Sequence, residues 1–85
     1  MGDASVFEIA VQFHRAGQVD RAEVLYRRVI EQAAEHGEAP FLLSVLLLGS
    51  NRLQEACALL ERAIRVQPDN AFFLSSLGGV YGRLV

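Results

Sequence analysis

Tryptophan and lysine are missing from this sequence, and it holds a single cysteine and two prolines. One cysteine, Cys57, excludes an intrachain disulfide and any cysteine-based metal site; a small buried thiol is expected there. The eight basic residues are all arginine, a bias that reads as base composition, and they are interspersed with ten acidic ones for a net charge of −2. No basic stripe exists to neutralise a row of phosphates, which argues against nucleic acid as a ligand. The longest mainly apolar stretch, residues 39–48, falls well short of the roughly 20 residues that a bilayer requires, so membrane insertion is not expected. Met1-Gly2-Asp3-Ala4 lacks the basic and apolar segments of a secretion signal, and a cytoplasmic location is expected. Gly78, Gly79 and Gly82 form no phosphate loop, because they lie inside a helical pattern and follow no strand. His14 and His36 have no carboxylate at metal-ligand spacing. No catalytic residue, metal or cofactor is therefore expected in this segment.

What is present is apolar and periodic. Hydrophobic residues make up 52% of the 85, too many for a disordered tail, and the length allows one domain. The chain repeats itself at an interval of 34 residues: Phe7 meets Phe41, Val11 meets Val45, Ala22 meets Ala56, Arg28 meets Arg62, and Ile30 meets Ile64. A second step carries the register to Leu77, Gly78 and Tyr81. That interval belongs to stacked helical hairpins, in which each unit buries its apolar face only against its neighbours.

Five helices can be read. The first runs from about Ala4 to Ala16, with Asp3 as N-cap, Val6, Ile9, Ala10 and Phe13 as the buried stripe, and Gly17 as the left-handed residue that ends it. The second spans about Val19 to His36, with Ala22, Leu25, Tyr26, Val29 and Ile30 inward and Gly37 as its stop. The third, about Ala39 to Ser50, has Pro40 in its first turn and is apolar almost all round, so it must be covered on more than one side. Asn51 takes the place of the turn glycine. The fourth, about Leu53 to Val66, packs through Leu53, Ala56, Leu59, Leu60 and Ala63; after Pro68-Asp69-Asn70 a fifth runs from about Ala71 to Leu84.

These residues resemble the tetratricopeptide repeat, of bacterial type, in which a helix–turn–helix unit carries W-x2-L-G-x2-Y followed by G, A, F and P. Ile9-Ala10, Phe13, Gly17, Ala22 and Tyr26 match it first; Leu43-Ser44, Leu47, Asn51, Ala56, Leu60, Ala63 and Pro68 match it again; Leu77-Gly78 and Tyr81 begin a third unit. Small residues recur where two helices must approach closely: Ala10, Ser44 and Gly78 on the first helix, Ala22 and Ala56 on the second. The pattern's tryptophan is replaced by Val6, Pro40 and Leu74, and its first proline by Ala34, which suggests a longer second helix. The resemblance implies an all-α array stacked as a right-handed superhelix over residues 1–85, with repeats at about 3–36 and 37–70 and a partial one at 71–85.

The resemblance also implies a protein or peptide partner, held in a groove lined by the first helix of each unit. Its lining would include Ala4, Phe7, Glu8, Val11 and His14, then Phe41, Leu42, Val45 and Leu48, then Phe72, Ser75, Ser76 and Gly79. Clamping of a terminal carboxylate is excluded, because the matching residues Phe7, Val11, Leu42, Phe72 and Ser76 cannot hold one. An apolar or amphipathic segment suits this lining better, with Phe7 and Phe72 exposed. On the last helix, Leu74, Leu77, Tyr81 and Leu84 lack a covering second helix; either sequence beyond Val85 or a second copy is expected to bury them, and a homo-oligomer, a dimer first of all, is the expectation. Another reading takes His14-Arg15-Ala16-Gly17, Ala22-Glu23 and Tyr26-Arg27-Arg28. Their wording resembles repeats that precede catalytic domains in bacterial glycosyltransferases, where this segment would be a substrate-selecting arm.

Overall fold

Helices α1 (Asp3–Arg15), α2 (Val19–Gln32), α3 (Glu38–Gly49), α4 (Leu53–Val66) and α5 (Ala71–Leu84) make up the fold, with no strand among the described residues. This computed structural model describes residues 3–84, and side chains from Val6 onward. Val85 and the side chains of Asp3 and Ala4, on which the expected cap and the start of the expected lining rest, lie outside what is described. Each helix packs on its neighbours in sequence, so the molecule is a row measuring 40 × 26 × 18 Å. None of the described helices is long and apolar enough to cross a membrane.

The turns repeat as the sequence does. Gly17 (φ 81°) and Asn51 (φ 60°) both occupy the left-handed region. In the first turn Gln18 N–H donates to Phe13 O at 2.9 Å; in the second Arg52 N–H donates to Leu47 O at 2.9 Å. These bonds reach back over the helix end and satisfy carbonyls that the last turn leaves open.

The expected long second helix is not found. α2 stops at Gln32, four residues before His36, and has the same 14 residues as α4. Ala33 (φ −135°, ψ 87°) leaves the helix just as Gln67 does after α4 (φ −130°, ψ 77°), although only the latter is followed by proline. The reason is tertiary. Ala39 and Pro40 at the start of α3 are fully buried, so the chain must turn within residues 33–37 to lay α3 on α2. Arg62 Nη2 donates to Ile30 O at 3.3 Å, and His36 Nδ1 accepts the Ala39 N–H at 3.1 Å, tying both ends of the turn. Gly37 acts differently from the expected helix stop. Its φ is −81°, open to any residue, but a Cβ there would lie 3.0 Å from Gln67 Nε2. The Gln67 side chain would have to give by a few tenths of an ångström to admit one.

Tyr26, Leu43, Leu47 and Leu60 are the largest side chains sealed from solvent, and the small residues Ala10, Ala22, Ser44 and Ala56 are fully buried at the helix contacts. α3 packs against both α2 and α4, which answers its all-round apolarity. Ser44 stays compatible with this burial by donating its hydroxyl to Phe41 O. Two expectations need correction. Ile9 is 44% exposed instead of buried, because it faces the outer side of α1, where no helix lies among the described residues. Cys57 is only half-buried, with Sγ 3.8 Å from Glu61 Oε2.

A ring of four charges ties α2 to the start of α4. Arg27 bonds Glu23 and Glu55, and Arg52 bonds the same two carboxylates at 3.1 and 2.7 Å. Burial raises the Glu23 pKa, but the hydrogen bonds from Arg27 and Arg52 outweigh it and hold the carboxyl below its ordinary value. Glu55 is held low by its bonds from Arg27 and Arg52. Carboxyls depressed in the folded state contribute stability above their unfolded pKa, and that contribution is lost as pH falls through the folded value. The urea midpoint is therefore expected to fall below pH ~4.5, and to fall less steeply in Glu23→Gln/Glu55→Gln. Equal acid dependence in the two proteins would show that the ring carries no stability.

Candidate functional site

The side of the row formed by α1, α3 and α5 carries the candidate lining. On α1, Phe7 is half-buried instead of exposed: its ring meets His36 at 4.6 Å, tilted by 54°, and lies 6.2 Å from Tyr26. His14 is half-buried, with Nδ1 3.0 Å from the Tyr26 hydroxyl and the rings edge to face at 5.8 Å. Both side chains therefore brace α1 against α2. Val11, Leu42 and Leu48 also lean on the core while keeping part of their surface open. Phe41 stacks on Phe73 at 4.7 Å with an interplanar angle of 28°, an arrangement that joins α3 to α5. A charged residue at Phe41 would thus loosen the fold as well as the face.

Two members of the lining stand clear. Val45 is 39% exposed at the middle of α3, and Phe72 is 78% exposed at the start of α5. Phe72 also lines a hollow of ≈ 310 Å³, together with Glu38, Phe41, Leu42, Gln67, Asn70 and Phe73. The structure thus gathers Phe41, Leu42 and Phe72, while Phe7, Val11, His14, Val45 and Leu48 lie outside this hollow. Sequence reasoning missed Glu38, Gln67, Asn70 and Phe73. A signal existed for Phe73: it stands 34 residues after Ala39, a position at the start of the preceding first-type helix.

The last helix offers a second face. Phe73 and Val80 turn inward, whereas Leu74, Tyr81 and Leu84 are exposed and Leu77 is half-buried. A Cβ added at Gly78, Gly79 or Gly82 would touch nothing, so no packing among the described residues requires these glycines. Each lowers helix stability by about 1 kcal/mol relative to alanine. The Tyr81 hydroxyl donates to Glu61 Oε2 at 2.9 Å; that bond and the neighbouring Cys57 push its pKa up to about 12.

A further apolar hollow of ≈ 420 Å³, lined by Phe13, Asp20, Arg21, Val24 and Leu25, lies on α1 and α2. Arg21 covers part of it, its guanidinium carbon 5.6 Å from the centre of the Phe13 ring. Among the described residues, no group of three or more His, Cys, Asp or Glu is placed to hold a metal ion.

The family model described as tetratricopeptide repeat matches residues 13–74. No curated protein matches the chain.

Proposed function

The chain belongs to the tetratricopeptide repeat family, and on that premise we propose that it is an interaction module without catalytic activity of its own. In this reading residues 3–36 and 37–70 are two repeats and 71–85 the first helix of another. The partner is a protein segment with an apolar or amphipathic face, laid along α1, α3 and α5. The observation that carries the reading is the pair of exposed apolar side chains, Val45 at the middle of α3 and Phe72 on the wall of the hollow between α3 and α5. Exposed aromatic side chains beside a depression are the usual anchors of such contacts. Self-association is the second half of the proposal, with Leu74, Tyr81 and Leu84 as contacts and the three bare glycines allowing close approach of another helix.

The test of the groove is Val45→Asp/Phe72→Asp. Neither side chain belongs to the buried core, so helicity and the thermal midpoint are expected to stay near those of the parent. Binding of a partner recovered with the parent chain, followed by calorimetry, should weaken at least about tenfold, since each lost apolar anchor is worth about 1 kcal/mol or more. Unchanged affinity would remove this side from the interaction.

A further inference from the structure

We propose that the hollow between α3 and α5 is a seat for a cationic side chain, the arginine or lysine of the bound segment. This deepens the groove reading above and rests on it. Three phenylalanines line the hollow: Phe72 stands free, Phe41 is half-buried, and Phe73 is buried and stacked on Phe41. Glu38 is the charged member of the lining, and among the described residues its carboxylate takes part in no ion pair or side-chain hydrogen bond. Aromatic faces beside an unpaired carboxylate suit a cation on an aliphatic stem, because the stem covers the rings while the charge meets the carboxylate and the ring quadrupoles.

The alternatives fit less well. An anion would meet Glu38, and no basic residue lines the hollow. The neighbouring helix starts could attract an anion through free N–H groups, but Ala39 N–H is bonded to His36 Nδ1 and Phe73 N–H to Asn70 Oδ1. A purely apolar side chain would strip water from Glu38 without giving its carboxylate a partner, which is unfavourable. The amides beside it are already turned to each other, with Asn70 Nδ2 donating to Gln67 Oε1 at 3.0 Å. The exposed Glu38 carboxylate is the charged group that the lining offers a ligand.

The experiment is a titration of the whole chain with n-butylguanidinium chloride and n-butylammonium chloride, followed by amide NMR. Neutral n-butylurea and anionic pentanoate serve as isosteric controls. The two cations are expected to shift the Phe72, Phe73, Gln67 and Asn70 signals saturably in the millimolar range, and the controls are not. Glu38→Gln should weaken the cations about threefold, as for an exposed ion pair, and Phe72→Ala by about two- to fivefold. Glu38 and Phe72 are exposed, so both variants should keep the parent's spectrum elsewhere. Equal response to n-butylurea, no response to either cation, or full cation binding in Glu38→Gln would overturn the proposal. The probes need no partner protein, so this result stands apart from the groove test. If Val45→Asp/Phe72→Asp keeps partner affinity while the cations still bind, the groove reading fails and the seat remains.

Discussion

Tyr26→Ala should leave much of the chain unfolded at room temperature. Tyr26 is sealed from solvent, and around it meet the rings of Phe7 on one side and His14 on the other. Truncating a buried aromatic residue typically costs about 3–5 kcal/mol. Net stability of about 0.05–0.15 kcal/mol per residue gives roughly 4–13 kcal/mol for a chain of this length, so the loss is a large share of the whole. Removing the hydroxyl also deprives His14 of its partner, which adds about 1 kcal/mol. Far-UV circular dichroism in a urea series measures the effect. A loss below about 0.5 kcal/mol, the size of an ordinary surface change, would mean that α1 and α2 do not pack through this ring.

The milder Tyr26→Phe separates packing from ionisation. Burial pushes the Tyr26 hydroxyl up to about 12 from its ordinary 10, against a smaller opposing effect of Arg15. An acid whose pKa is raised by folding is favoured in its neutral form, so its contribution is complete below pH 10. It is lost as pH rises towards 12. Parent stability should therefore decline across that window, and the decline should be shallower in Tyr26→Phe. Tyr81, also raised to about 12, titrates in the same window, so Tyr81→Phe is the necessary control.

Leu74→Glu/Tyr81→Arg should convert any assembly held by α5 to monomers. The two side chains are 48% and 47% exposed, so the fold does not depend on their burial, and an arginine at 81 would stand beside Glu61. If another copy covers them, each contributes roughly 1.5–3 kcal/mol on full burial. Half of that surface is already covered within the chain, so the pair is worth about 1.5–3 kcal/mol, or a dissociation constant raised about 10- to 150-fold. Repulsion and desolvation of the new charges would widen the change. Sedimentation equilibrium over a wide concentration range measures it. A parent that stays monomeric at the highest concentration would end the self-association proposal, and so would a variant with the parent's mass. Leu77 is the wrong place for the test. It is half-buried, and a charge there would disturb α5 itself.

Much of the fold was determined by the sequence alone. A pattern that returns after 34 residues names its own elements, and the bounds of α4 and α5 agree with the reading from residues. The turns at Gly17 and Asn51 were legible because a positive φ favours few residue types, and those types are visible one at a time. Tertiary structure decided the rest. The residues from Gln32 to Glu35 favour a helix locally, and α2 ends there because Ala39 and Pro40 must be buried against it. Gly37 is buried beside the side chain of Gln67, thirty residues away, and the ring of Glu23, Arg27, Arg52 and Glu55 joins α2 to the start of α4. The family resemblance put Phe41 and Phe72 on the candidate side, but did not tell which ring would stack on Phe73 and which would stand in water. Periodicity records which face of a helix is apolar. What covers that face depends on groups distant along the chain, whose positions exist only once the helices have packed.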